Sequence, residues 1–276
     1  MRASLWTYPW DVLDEGADAA LGRIAEQGGF NGVSLAASYH ATKAFLPHNP
    51  RRKVYFSEDG VVYFRPRPER YGRIRPRPSA LLEQGDVFGL VGERGPRYGL
   101  ELNAWVVCLH ATPLGLLYPE LTLQTPFGDP LLHSLCPSQP EVRRYALALL
   151  ADLCGQHPVR SVELEAVEFM GYDHGFHHEK TLVGLTGVEQ WLLGLCFCPA
   201  CRARAHTAGL DAERLRGRVR ERLEEALARP QAPPDDGDEA ADWLATDAEL
   251  AEARERLVRR GDAVEVGCHQ TIGHRG

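Results

Sequence analysis

Residues 3–37, ASLWTYPWDVLDEGADAALGRIAEQGGFNGVSLAA, decide the fold. Ala3-Ser4-Leu5-Trp6-Thr7-Tyr8 reads as a short strand, and the apolar spacing over about 12–27 is that of a helix stopped at Gly28-Gly29. Residues 30–37 follow as a second, buried strand. Strand, helix, strand with glycine stops is the βα unit of a parallel sheet.

Working outward, residues 38–78 interrupt this rhythm. Lys53-Val54-Tyr55-Phe56, the turn Glu58-Asp59-Gly60 and Val61-Val62-Tyr63-Phe64 predict a β-hairpin inserted after the second strand, at about 50–66. A helix over 79–93, weakened by Gly85 and Gly89, leads to a third strand at 100–107 and a long loop up to Pro140. Val142, Tyr145, Leu149 and Leu153 recur at helical spacing over 141–154, and 159–169 gives a fourth strand. A short helix at 188–195, a cysteine cluster and a helix over 200–229 come next. The remainder reads as a Pro- and Asp-rich linker (230–238), a helix over 239–260 and a strand-like stretch at 263–266.

The expected fold class is therefore α/β, a (β/α)8 TIM-barrel-like chain that is incomplete. Only the first four to five βα units can be counted, and a closed barrel needs eight. Residues 1–229 form the barrel-like domain in this reading, with 230–238 as linker and 239–276 as a helix and tail that continue the barrel.

Composition narrows the function. The 276 residues hold 31 Lys+Arg against 38 Asp+Glu, a formal net charge of −7, and no apolar run approaches the roughly 18–20 residues of a membrane span. Acidic balance argues against nucleic acid as a partner despite local basic stretches at Arg51-Arg52-Lys53 and between Arg65 and Arg77. The opening MRASLWTYPWDVLDEG lacks the features of a signal peptide, so a cytoplasmic protein is expected, and its seven cysteines are then thiols or metal ligands rather than disulfides. A homo-oligomer is left open.

Three constellations carry chemistry. Cys196-Phe197-Cys198-Pro199-Ala200-Cys201 places three thiolates where they can converge on one tetrahedral ion, zinc by default, with a fourth ligand from elsewhere; three buried reduced cysteines are the plainer alternative. In the fourth strand, alternation puts Val162, Leu164 and Ala166 on one face and Glu163 and Glu165 on the other, and Glu168 follows at its end. A carboxylate at a strand end can serve as general acid or base, while the deeper Glu163 can equally pair with a buried arginine. The third, Gly171-Tyr172-Asp173-His174-Gly175-Phe176-His177-His178-Glu179, can bind a metal, bind a polyhydroxy ligand, or be a solvated loop. Trp6, His40 and His110 lie at or after strand ends and are expected at the same mouth.

The run His133-Ser134-Leu135-Cys136-Pro137-Ser138-Gln139-Pro140-Glu141-Val142-Arg143-Arg144, the glutamate-ending strand and Cys196-x-Cys198-x2-Cys201-Arg202 together resemble family-42 β-galactosidases and related barrel glycoside hydrolases. The resemblance covers roughly 133–202. It implies a retaining glycosidase, a structural zinc on Cys136, Cys196, Cys198 and Cys201, and Glu165 or Glu168 as acid/base. The family's asparagine before that glutamate is replaced here by Leu164 or Val167, and its nucleophile strand has no counterpart. Carbohydrate is the expected partner, bound by Trp6, His40, His110, Asp173, His174, His177 and His178. Two other readings stay open: a metal-dependent hydrolase built on Asp173, His174, His177 and His178, and a carbohydrate-binding protein without activity.

Overall fold

The computed structural model describes residues 2–181 and 183–229; the expected linker, last helix and final strand-like stretch lie outside the described residues. The strands are β1 (Ser4–Thr7), β2 (Gly32–Tyr39), β3 (Lys43–Phe45), β4 (Val54–Phe56), β5 (Val61–Val62), β6 (Arg77–Pro78), β7 (Glu101–Val107), β8 (Thr122–Gln124), β9 (Pro130–Leu135) and β10 (Ser161–Glu165). The α-helices are α1 (Pro9–Glu15), α2 (Ala17–Gly22), α3 (Val87–Arg94), α4 (Thr112–Leu117), α5 (Pro140–Gln156), α6 (Gly187–Gly194), α7 (Pro199–Thr207) and α8 (Ala212–Leu227). The described residues divide into two compact units, one running to Leu121 and resuming at Leu132–Phe169, the other made of Thr122–Leu131 and the described residues from Met170 to Arg229.

The first unit is built on four parallel strands that adjoin in chain order, β1, β2, β7 and β10. These are the four strands the sequence predicts, and each parallel crossover carries helix as it must. Among the described residues β1 and β10 do not pair with each other, so this sheet is open. Its two faces differ in chemistry. Val33, Leu35, Leu102, Ala104 and Val106 are buried on one face, where α3 packs on β7. The other face is polar at its base: Ser4 Oγ and Ser34 Oγ lie 2.8 Å apart, Asn103 Nδ2 donates to Ser4 Oγ (3.1 Å), and Ser161 Oγ donates to Asn103 Oδ1 (2.7 Å). Those four residues hold adjoining positions on four strands, so the hydroxyls and amide satisfy one another.

A register shift between Ala36 and Ser38 changes what β2 presents. Ala36 pairs with Trp105 but Ser38 pairs with Val106, so one extra residue is absorbed as a bulge. Strict alternation would send Tyr39 to the helix side; the bulge returns it to the face of Trp105, and the two rings meet edge-on at 5.0 Å.

The inserted hairpin forms with different partners from those expected. Val54–Phe56 pairs antiparallel with Lys43–Phe45, whereas Val61–Val62 joins the main sheet antiparallel to Ser38 and Tyr39. The Asp59-Gly60 signal is local, and the longer-range option buries Val61, Val62, Tyr63 and Phe64 almost completely. The first helix is also broken. Gly16 at φ +86° ends α1, α2 restarts at Ala17, and a π-type turn at Arg23–Gln27 finishes it.

In the second unit, Val188, Leu192, Phe197, Val219 and Leu223 form an apolar cluster. A capping box at Thr186 and Glu189 starts α6, and the buried Glu189 carboxylate also takes Arg229 at 2.6 Å. The single helix expected over 200–229 is two helices, α7 and α8, parted at Gly209 with φ +79°.

Candidate functional site

The C-terminal ends of the parallel strands carry a continuous aromatic wall. Trp6 on β1 stacks on Trp105 of β7 with ring centroids 5.1 Å apart and planes 16° from parallel. Tyr8 leans on Trp105 at 5.4 Å and its hydroxyl hydrogen-bonds that of Tyr39 at 2.9 Å. Tyr39 stacks on His40 (4.3 Å), His40 on His110 (4.7 Å), and His110 meets His133 edge-on (6.1 Å). The sequence reading missed Tyr8, Tyr39, Trp105 and His133; the alternation of β7 points to Trp105, but nothing local signals the bulge that turns Tyr39.

Two carboxylates tie into this wall differently. Glu163 accepts Trp6 Nε1–H at 2.6 Å and Ser34 Oγ–H at 2.5 Å, one on each oxygen. Its partners are thus an indole and a hydroxyl, not the buried arginine considered from sequence. β1 and β10 stand three strand spacings apart, roughly 14 Å in a flat sheet. Side chains perpendicular to a flat sheet would not meet over that span, so the contact requires strong curl toward this face. Glu165, at the very end of β10, accepts Trp105 Nε1–H at 2.6 Å and remains exposed. Beyond it Ala166 takes φ +54° and the chain leaves the strand direction, and Glu168 lies exposed after that turn.

Burial, reinforced by the Tyr39 hydrogen bond, pushes the Tyr8 phenol well above its ordinary value, so it stays neutral. Asp11, one turn into α1, is pushed up to about 6 chiefly by burial, with Glu15 and Asp14 adding repulsion against the stabilising Tyr8 backbone hydrogen bond.

Trp6, His40, His110 and Glu165 therefore belong to one wall in the first unit. Asp173 and His174 sit on a 3-10 turn (Tyr172–His174) of the second unit, and His177 and His178 are exposed beyond it, His178 with φ +57°. Among the described residues these four do not bring ligand atoms together as a metal site would require.

The cysteines do. The ligand atoms of Cys136, Cys196, Cys198 and Cys201 all lie within 4.8 Å of one another, so this group can hold a metal ion. Pro199 opens α7 with Cys198 as its N-cap, and Cys201 N–H points at Cys198 Sγ (3.5 Å). Gln124 N–H points at Cys196 Sγ (3.4 Å), while Phe197 N–H returns to Gln124 O (2.8 Å). Backbone N–H groups aimed at sulfur favour thiolates. A tetrahedral ion at about 2.3 Å from each sulfur sets sulfurs roughly 3.8 Å apart, which falls within the bound on this arrangement. Cys108 and Cys154 stand outside the cluster, and Cys268 lies outside the described residues.

No protein-family model matches the chain, and no curated protein does. Among solved structures it is similar to α-L-fucosidase isoenzyme 2 from Paenibacillus thiaminolyticus, at 15% identity and a TM-score of 0.45, over 82% of this chain and 30% of that one. It is also similar to a hypothetical protein from Ruminiclostridium thermocellum ATCC 27405, at 15% identity and a TM-score of 0.40, over 60% of this chain and 77% of that one. A third is the GH36 α-galactosidase AgaB from Geobacillus stearothermophilus, at 14% identity and a TM-score of 0.35, over 58% of this chain and 20% of that one. The chain thus spans less than a third of the length of the fucosidase.

Proposed function

We propose that the strand-end wall is a carbohydrate site of glycosidase type, with Glu165 as its acid/base carboxylate and Trp6 as its stacking platform. One observation carries the reading. Trp6 is 63% exposed yet fixed in place, one indole face against Trp105 and its N–H held by Glu163. A large exposed indole that is immobilised offers its free face to the C–H face of a pyranose without loss of rotamer freedom on binding. Glu165 is exposed and held by the N–H of Trp105, the indole on which Trp6 stacks.

This reading takes the four parallel strands as the front of a TIM-type barrel, whose chemistry belongs at these strand ends. Retaining hydrolysis needs a second carboxylate about 5–5.5 Å from the first. Both Glu163 oxygens are engaged by Ser34 and Trp6, which favours sugar binding with little or no turnover by this chain. Zinc on Cys136, Cys196, Cys198 and Cys201 is structural in this proposal, because a four-sulfur set leaves no open coordination position for substrate.

Intrinsic tryptophan fluorescence titrated with methyl glycosides tests binding, and release of nitrophenol from aryl glycosides tests turnover. Trp6→Ala is expected to abolish binding. Glu165→Gln is expected to retain binding and remove any hydrolysis. Glycosides that leave the fluorescence unchanged, or hydrolysis that survives Glu165→Gln, would refute the assignment.

A further inference from the structure

His40 stands at the centre of the wall, and its hydrogen bonding fixes its tautomer. The ring Nδ1 lies 3.0 Å from the carbonyl oxygen of Ala41. A carbonyl oxygen only accepts, so Nδ1 carries the proton and, in the neutral ring, Nε2 carries a lone pair. Tyr39 and His110 both stack on this imidazole, at 4.3 and 4.7 Å with interplanar angles of 24° and 27°. Two rings cannot share one imidazole face at such distances, so the two faces are occupied and polar contact is left to the ring edge. His40 is partly buried, and among the described residues its Nε2 is not one of the fully buried polar atoms that lack a partner.

We propose that His40 is held as the Nδ1–H tautomer so that Nε2 acts as a hydrogen-bond acceptor for a hydroxyl of the bound ligand, making His40 a specificity residue of the site. The proposal rests on the carbohydrate reading and deepens it. A metal ion is a poorer occupant of this edge, since among the described residues His40 does not join any group of three or more ligand atoms. A hydroxyl donor needs only the one in-plane lone pair. Backbone restraint adds rigidity: Ser57 Oγ donates to His40 O (3.1 Å) and Asp59 accepts Ala41 N–H (3.2 Å). The ring therefore arrives oriented, which lowers the ordering entropy of binding.

The test joins NMR with ligand binding on the whole 276-residue chain. Long-range proton–nitrogen correlation spectra, with His40 assigned by comparison with His40→Phe, should show a protonated Nδ1 and a bare Nε2 near pH 7.5 before any ligand is added. Tryptophan fluorescence is then titrated with methyl glycosides of galactose, glucose, mannose and fucose at the same pH. His40→Phe keeps an aromatic ring in the stack and is expected to weaken binding about tenfold, the worth of one hydrogen bond. His40→Gln restores a side-chain acceptor and is expected to recover part of that loss. A proton on Nε2, undiminished binding by His40→Phe, or binding by His40→Gln no better than by His40→Phe would each overturn the proposal. A wild type that binds none of the glycosides overturns the carbohydrate reading, and the spectra still decide the tautomer.

Discussion

Replacing Asp11 by asparagine should raise stability at neutral pH and leave it unchanged in acid. The Asp11 carboxyl stands at about 6 in the folded chain against 3.8 unfolded, because burial penalises its charged form. A folded value above the unfolded one means that the native state binds more protons between about pH 4 and pH 6, so stability falls as pH rises through that window. Felt in full, the shift is worth about 3 kcal/mol at pH 7. Asp11 is only partly buried, and solvent screening reduces this to about 1–2 kcal/mol. Asparagine removes the buried charge and keeps an oxygen able to accept the Tyr8 backbone hydrogen bond. Urea denaturation of both proteins at pH 7, 5 and 4 measures the difference, which should shrink from about 1–2 kcal/mol toward zero across the series. His157, whose imidazole is held below its ordinary value chiefly by burial, loses stability in the opposite direction as pH falls; it is common to both proteins and cancels. A difference that is constant with pH, or that grows in acid, would refute the reasoning.

Elemental analysis of protein purified without chelator should find one zinc per chain, lost in Cys136→Ser or Cys198→Ser; a metal-free wild type with four titratable thiols at these positions contradicts it. Gly115→Ala should be severely destabilising, because a Cβ there would lie 1.8 Å from the backbone oxygen of Leu132; thermal unfolding within a degree or two of wild type would be inconsistent with that crowding. Asp152→Ala should destabilise by about 1.5–3 kcal/mol in urea, since it removes a fully buried carboxylate that Tyr71 and the partly exposed Arg67 share, and a loss below about 0.5 kcal/mol would contradict that role.

The four parallel strands were legible because each is an apolar run bounded by glycine, proline or charge, and these signals are local. Helix breaks at Gly16 and Gly209 were not, since the apolar spacing continues across both and only φ in the left-handed region reveals the interruption. The hairpin register failed for the same reason in reverse: Asp59-Gly60 advertises a local turn, while the pairing of Val61–Val62 with β2 depends on burial far along the chain. In the site, Trp6, His40, His110 and Glu165 could be named from their places at strand ends. Tyr39 could not, because a bulge changes the face of every residue after it. Asp152 has no local signal in its helix, and its partner Arg67 lies in a stretch that composition alone marks only as basic.

Glu163 and Glu165 show how two like residues two positions apart acquire unlike roles. Alternation puts both on the same face, so their identity and direction do not distinguish them. Depth does. Glu163 pairs in register with Trp105 of β7, and an indole N–H from β1 and a hydroxyl from β2 each engage one of its oxygens. It works as a tie across the curled sheet, and the rigidity of the exposed Trp6 platform follows from it. Glu165 lies one step further out, past the hydroxyl network, where Trp105 takes one oxygen and solvent reaches the carboxylate. A tie must be fully engaged, whereas an acid or a ligand-binding group must keep an oxygen available. On this sheet the difference between them is a rise of two residues along one strand, roughly 7 Å.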